Sequence, residues 1–220
     1  MMRDWLLALA VLVAGAGDAA AQASQASTPD PTVAAANASE AQWSIAASAY
    51  TYIVPDATNY GQPTLTADRR WLHLEGRFNY EAIDTASIWF GTNFGGGERV
   101  SWTLVPMFGG VFGDTSGVAP GYHASFGWRK FELYSEGEYV VDAEDSASNF
   151  FHNWSEATFA PVETFWFGVA TQRTRAYRTE RDIQRGLLAG FSYRRMEVLG
   201  YVFNPDDDAP TVVVAVRVSF

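Results

Sequence analysis

The chain of 220 residues contains no cysteine, and its basic residues are few. Without cysteine, disulfide frameworks, thiol chemistry and cysteine-ligated zinc or iron–sulfur sites are excluded. Lysine and arginine together number 15, against 25 aspartate and glutamate residues, and the formal net charge is -10. Nucleic acid is itself a polyanion, so it is not an expected partner.

The motifs of common nucleotide-binding and hydrolytic sites are missing as well. The sequence has no P-loop, no G-x-G-x-x-G after a strand, no H-E-x-x-H and no G-x-S-x-G. We therefore expect no cofactor, no metal and no catalytic residues.

Long apolar runs are also missing after the first residues, so no later segment is predicted to be a transmembrane helix. Hydrophobic residues still make up 48% of the chain and aromatic residues 15%. Polar residues interrupt them at every second or third position. This spread is typical of a transmembrane β-barrel with aromatic girdles. The core of a soluble periplasmic β-protein is the alternative.

The first residues have the pattern of a secretory signal peptide. Arg3 precedes a short apolar run over 5–14, and small residues follow. We predict a signal peptide over 1–21, with cleavage after Ala21 or, alternatively, after Ala23. Residues 22–41 are mainly Ala, Ser, Gln, Thr and Pro, which predicts a disordered periplasmic segment. Residues 42–220 are predicted to form one domain.

The last ten residues alternate clearly between two faces of a strand. One face is wholly apolar and carries Val212, Val214, Val216, Val218 and Phe220. The other face tolerates Arg217 and Ser219. The segment resembles the last strand of Gram-negative outer-membrane β-barrels, a class whose assembly machinery reads a terminal Phe preceded by alternating apolar residues. The resemblance implies an outer-membrane protein, with that machinery and outer-membrane lipid as partners and these five residues as an assembly signal.

Alternation and turn residues predict an all-β fold, a single antiparallel barrel of about twelve strands. The predicted strands cover 45–54, 63–67, 70–83, 85–94, 99–112, 122–129, 131–142, 149–160, 164–177, 186–194, 197–204 and 211–220. If the short second one is only a loop, ten strands are possible.

The connections fit a barrel with both ends in the periplasm. Counted back from a descending last strand, the longer polar connections fall outside, at 113–121, 143–148, 178–185 and 204–210. The short ones fall on the periplasmic side, which is the usual arrangement in outer-membrane barrels.

If the apolar faces contact lipid, their charged neighbours face a lumen. Placing a charge toward lipid near the midplane would cost roughly 2–4 kcal/mol. The predicted lumen charges are Glu75, Arg77, Glu81, Glu132, Glu136, Glu138, Glu156, Arg129, Arg185, Arg194 and Arg217. They could form a salt-bridged filling or the walls of a solute channel.

A basic cluster is predicted at the outer mouth, where it could gather anionic solutes or bind lipopolysaccharide phosphates. Its members are Arg173, Arg175, Arg178 and Arg181, next to Arg185. Glu180 and Asp182 lie among them and could simply neutralise them.

The best functional prediction is a small passive, porin-like channel or a structural barrel with a Glu/Arg lumen. A lipid hydrolase is the enzymatic alternative, because His123 and Ser125 share a strand face. That face is the predicted lumen, whereas lipid-acting barrels place these groups on the lipid-facing rim. We therefore predict that the protein is not an enzyme.

Overall fold

The structure, a computed structural model, describes residues 42–55, 57–176 and 182–220. These residues are almost entirely β-strand and connecting loop, with a short 3-10 turn at Ser146–Ser148. No helix within them is long and apolar enough to cross a membrane. The predicted signal peptide and periplasmic segment, 1–21 and 22–41, lie outside the described residues and stay predictions.

Thirteen strands form one antiparallel sheet in this part of the chain. They are β1 (Ser44–Ile53), β2 (Tyr60–Arg69), β3 (Leu72–Phe78), β4 (Thr85–Thr92), β5 (Phe94–Gly96), β6 (Ser101–Gly113), β7 (Gly117–Trp128), β8 (Phe131–Asp142), β9 (Phe150–Val162), β10 (Phe165–Ala176), β11 (Asp182–Tyr193), β12 (Met196–Phe203) and β13 (Thr211–Ser219).

The sheet closes into a barrel at two places. β1 pairs with β13 from Ala46↔Ser219 to Ile53↔Val212, and the backbone nitrogen of Phe220 donates to Ile45 at 2.9 Å. β4 pairs with β6, which leaves β5 as a short addition hydrogen-bonded to β6 outside the ring. The result is a closed barrel of 12 strands plus one extra strand. The predicted all-β barrel is confirmed.

Strand direction alternates, so both ends of the barrel chain lie on one side, which we name the periplasmic end. Apart from the connection 93–100, which contains β5, the turns there are short. Three of them contain two residues and begin with an arginine in the left-handed region: Arg70 (φ 55°), Arg129 (φ 57°) and Arg194 (φ 57°). Positive φ is what a tight hairpin needs for its twist to match that of the strands. The opposite, outer end carries most of the longer connections, including 79–84, 143–149 and 204–210.

The outer surface of the barrel is mostly apolar, as lipid contact requires. Large side chains such as Leu65, Phe90 and Leu187 are exposed on it. One polar cluster interrupts this surface on β7, β8 and β9. There the hydroxyls of Tyr122 and Ser135 lie 3.2 Å apart, and the amide of Asn153 donates to both at 3.2 Å. These outward polar groups therefore satisfy one another.

Several strand boundaries differ from the sequence prediction, including the end of β3 at Phe78 rather than 83, and three of them have a common cause. β2 is longer than the predicted 63–67 because β1 pairs with it up to Tyr52↔Tyr60. β7 begins at Gly117 because the predicted loop after Gly113 continues the ladder with β6. The glycine turn after β4 contains β5, whose residues pair with Trp102–Leu104. In each case the partner strand supplies hydrogen bonds that the local sequence does not announce.

Candidate functional site

The candidate functional site is the barrel lumen, whose polar residues come from strand alternation. On β3 the inward positions are His73, Glu75 and Arg77, all buried, whereas Leu72 and Phe78 lie on the outward face. On β8 the even-numbered residues Glu136 and Glu138 point inward in the same way. Both strands therefore present charged groups to the same interior space.

Arg77 is the centre of this interior network. Its Nε donates to Glu75 Oε1 at 2.7 Å, and its Nη1 donates to Glu138 Oε2 at 2.8 Å. The guanidinium also lies over the rings of Tyr80 and Trp89, at 4.3 and 4.6 Å from their centroids. β3 and β8 are not neighbours in the sheet. The Arg77–Glu138 bond therefore crosses the lumen.

Two histidines extend the network. His73 Nδ1 lies 2.8 Å from Asp68 Oδ1, and its Nε2 lies 3.1 Å from Glu75 Oε2. His123 Nε2 is 3.6 Å from Glu75 Oε2. Arg77 Nη2 lies 3.2 Å from the same His123 nitrogen. Both imidazole rings thus converge on Glu75.

The remaining glutamates of this region are held by hydroxyl and indole donors. Glu136 accepts hydrogen bonds from Tyr134, at 2.5 Å, and from Tyr80. Glu81 comes from the outer loop 79–84, yet it is buried. Its Oε1 accepts from Ser87 Oγ at 2.5 Å. The outer loop after β3 thus folds into the lumen.

Aromatic side chains fill the other side of the lumen. The ring of Trp154 on β9 lies 5.2 Å from Tyr201 on β12 and 6.0 Å from Tyr50 on β1. Glu156 accepts hydrogen bonds from Trp154 Nε1 at 2.7 Å and from the Tyr201 hydroxyl at 2.8 Å. Arg217 donates to the Tyr50 hydroxyl. These strands are not sheet neighbours, so this group also crosses the lumen.

Above the aromatic side a cavity opens at the outer end of the barrel. It has a volume of about 350 Å³. Its walls include Tyr52, Tyr60, Gln172, Gln184 and Thr211. Its walls also include Val54, Ala57 and Ile83, so the hydroxyl and amide groups of this vestibule are set in a mainly apolar surface.

Inward-facing carboxylates outnumber inward-facing arginines along the described strands and the loop 79–84. The carboxylates are Asp68, Glu75, Glu81, Glu132, Glu136, Glu138, Glu156 and Glu197, and the arginines are Arg77 and Arg217. The lumen is therefore an acidic environment unless protons or cations compensate it.

Most of the predicted lumen charges lie inside the barrel. Buried or half-buried inward positions are occupied by Glu75, Arg77, Glu81, Glu136, Glu138, Glu156 and Arg217, with Glu132 half-buried near the periplasmic end. The network also contains Asp68, His73, His123, Tyr80 and Tyr134, which the sequence prediction of site residues omitted. Alternation placed His73 on the same strand face as Glu75, so that signal was present in the sequence.

Three predicted lumen arginines lie elsewhere. Arg129 and Arg194 occupy periplasmic turns, where they lie over the rings of Trp128 and Tyr193 at 4.9 and 5.3 Å. Arg185 is an odd-numbered residue of β11 and shares the outward face with Leu187. It is exposed, and it lies 3.8 Å from Asp206. β11 pairs with β10 from Asp182 onward, whereas the predicted strand begins at 186. Arg185 therefore belongs to the strand, and alternation puts it on the face of Leu187.

The predicted outer-mouth cluster is only partly described. Arg173 is half-buried on β10, and its guanidinium lies over the Phe151 ring at 5.8 Å. Arg175 is part of the same strand. Arg178 and Arg181 lie outside the described residues, so the cluster stays a prediction.

Comparison with known proteins gives structural neighbours alone. No protein-family model matches the chain, and no curated protein does. A solved KdgM porin matches with a TM-score of 0.54 at 10% identity, over 80% of this chain and 99% of that one. The KdgM porin in complex with disordered oligogalacturonate gives 0.52 at 10% identity, with the same coverage. Acinetobacter baumannii Omp33 gives 0.47 at 10% identity, over 82% of this chain and 98% of that one.

The identity of these neighbours is too low to transfer a ligand or a residue role, but the KdgM matches extend over nearly their whole length. They agree with the closed ring of strands described above. The chain therefore has the fold of an outer-membrane β-barrel porin.

Proposed function

We propose that the protein is a passive outer-membrane channel that passes small cations and neutral solutes in preference to anions. The observation that carries this proposal is the acidic lumen, in which the Arg77 network crosses the interior and carboxylates outnumber arginines. A constriction lined with carboxylates lowers the energy of a cation and raises that of an anion. The vestibule at the outer end is lined by apolar, hydroxyl and amide groups, with no charged side chain among the described residues that line it, and this supports entry of neutral solutes.

Oligogalacturonate, the ligand in the KdgM complex, is a polyanion and does not suit this lumen. A cluster of inward arginines would favour such a ligand. Here Arg77 is already shared by two glutamates, and Arg217 donates to Tyr50. We therefore propose a different solute class for this chain in spite of the common fold.

Single-channel recording in planar bilayers tests this proposal with the full folded protein. Under a KCl gradient, we expect a reversal potential with the sign of cation preference. Glu138→Gln should shift that potential toward zero. Glu163→Gln is the matched control, because Glu163 is exposed in a periplasmic turn, and it should leave the potential unchanged. Anion preference in the unaltered protein would sink the proposal.

A structural barrel is the second candidate, because aromatic contacts such as Trp154–Tyr50 also cross the lumen. The same recording separates the two functions. Reconstituted barrels that show no conductance at any voltage would favour the filled structural barrel. Conductance steps of uniform size would favour the channel.

A lipid hydrolase gains little support from the position of His123 and Ser125. The Ser125 hydroxyl lies 2.7 Å from Thr103 Oγ1, and His123 Nε2 lies 3.2 Å from Arg77. Both residues lie on the inward face of β7, away from the lipid that such an enzyme must reach. We therefore propose a function without catalysis.

A further inference from the structure

Three ligand atoms in the lumen converge in a way that the channel proposal does not use. They belong to His73, Glu75 and His123, which each offer one ligand atom within 4.8 Å of the other two. His73 Nε2 and Glu75 Oε2 are 3.1 Å apart, and Glu75 Oε2 and His123 Nε2 are 3.6 Å apart. In a tetrahedral zinc site with bonds near 2.05 Å, neighbouring ligand atoms are about 3.3 Å apart. The spacing therefore fits one metal ion held between them.

Hydrogen bonds around the three residues orient them toward a common point. His73 Nδ1 lies 2.8 Å from Asp68 Oδ1, so a proton on Nδ1 leaves the Nε2 lone pair facing Glu75. A carboxylate that holds the far nitrogen of a histidine is the usual support of a metal-binding imidazole. Glu75 is fixed in turn, because its other oxygen accepts from Arg77 Nε at 2.7 Å.

When His73 carries a single proton, on Nδ1, the space between the ligands is electron-rich. With its proton on Nδ1, His73 presents a lone pair to Glu75 Oε2 at only 3.1 Å, and two acceptors at this distance repel. A cation between them removes that repulsion. Asp68 Oδ2 and Glu138 Oε1 are buried nearby in the network with no hydrogen-bond partner, which adds negative charge that a cation would offset.

We propose that His73, Glu75 and His123 bind a divalent transition-metal ion inside the barrel, and that Zn²⁺ is the best match. Two imidazole nitrogens and one carboxylate oxygen form a donor set that zinc accepts readily. Three protein ligands leave a fourth tetrahedral position for water. His123 Nε2 then binds the metal in place of Arg77, and Arg77 keeps its bonds to Glu75 and Glu138. This site revises the expectation of a protein without metal.

Metal binding to the full chain, folded in detergent and stripped with a chelator, tests the proposal. Titration calorimetry with Zn²⁺ should give saturable binding of one ion per barrel. Co²⁺ in the same site should give the intense visible absorption of tetrahedral coordination. The absence of saturable Zn²⁺ binding would overturn the proposal. The contacts of His73 with Asp68 and Glu75 would then be explained by a proton on each of its ring nitrogens.

Variants locate the ion. Glu75→Gln and His123→Gln each remove one ligand, and Zn²⁺ affinity should fall by more than tenfold in both. Asp68→Asn keeps all three ligands and should weaken affinity by roughly 10–100-fold, because the group that supports the His73 imidazole loses its negative charge. Wild-type affinity in both ligand variants would contradict the site.

His152→Gln is the matched control, because His152 is also buried and inward but belongs to β9. It should bind Zn²⁺ like the unaltered protein. Each variant is first shown to be folded by its heat-modifiable migration in gels. If Glu75→Gln does not fold, the less buried His123 still provides the ligand test. Because the readout is binding, a barrel that binds zinc without conducting would refute the channel and leave this site standing.

Discussion

The two sides of the lumen are built on different physical principles. The charged side on β2–β4, β7 and β8 joins its residues by directional bonds, and Arg77 makes those that cross from β3 to β7 and β8. The aromatic side on β1, β9 and β12 joins its residues by ring contacts, and its polar groups are concentrated at Glu156 and Arg217. A charged network needs every partner, whereas packed rings tolerate small changes of position.

Unsatisfied polar atoms follow the same division. Among the described residues, the charged side has buried atoms without hydrogen-bond partners at Asp68 Oδ2, Glu81 Oε2, Asn93 Oδ1 and Glu138 Oε1. On the aromatic side such atoms are Trp166 Nε1 and Gln172 Oε1, both on β10. Buried polar atoms of this kind attract water or ions. The charged side therefore offers more positions for water and ions than the aromatic side.

The largest effect is expected from breaking the charged side at its centre. Arg77→Met leaves Glu75 and Glu138 buried without their cation, which should lower the free energy of unfolding by about 3–5 kcal/mol. Urea unfolding of the barrel in lipid vesicles measures it. Arg129→Met, in an exposed periplasmic turn, is the control and should change little. Similar losses in the two variants would show that Arg77 does not organise the charged side.

A smaller effect is expected from removing one hydroxyl on the aromatic side. Tyr201→Phe keeps the ring contacts with Trp154 but removes the hydrogen bond to Glu156, at an expected cost of about 1.5–3 kcal/mol. The same unfolding measurement applies. Tyr139→Phe on the outward face is the control. A loss as large as that of Arg77→Met would mean that the two sides depend equally on single polar bonds.

The smallest effect is expected where a predicted lumen charge lies outside both sides. Arg194→Asn replaces a turn residue with φ 57° by one that adopts this conformation easily. Stability should change by no more than about 0.5 kcal/mol, and ion selectivity should stay the same. A clear change in the reversal potential would place Arg194 functionally in the lumen after all.

Strand alternation predicted much of this architecture. β8 covers the predicted 131–142, and β13 turns Val213 and Ala215 inward and Val214 outward. These strands could be predicted because one face of each is mostly apolar, with Ser135 as the polar exception on β8. The first part of β7 could not, since Gly117 and Pro120 signal a loop and only pairing with β6 makes them strand.

The lumen network could be predicted residue by residue but not as a set of contacts. Alternation indicates that Arg77 and Glu138 both face inward. It cannot indicate that they meet, because their contact depends on barrel diameter and strand stagger. The same limit explains the omission of Tyr80, which reaches Glu136 from an outer loop. Arg185 was assigned to the lumen, although Arg185 and Leu187 are two residues apart and therefore share the outward face of β11.

The pairing of β1 with β13 has a consequence for how the chain reaches this state. The two strands are at opposite ends of the domain sequence, so the ring cannot close until the last strand is in place. Until then both strands expose unpaired backbone edges, which can pair with other chains. Contacts between distant sequence positions also form slowly. Folding of this protein is therefore most exposed to aggregation just before its final step, and whatever shields those edges controls its yield.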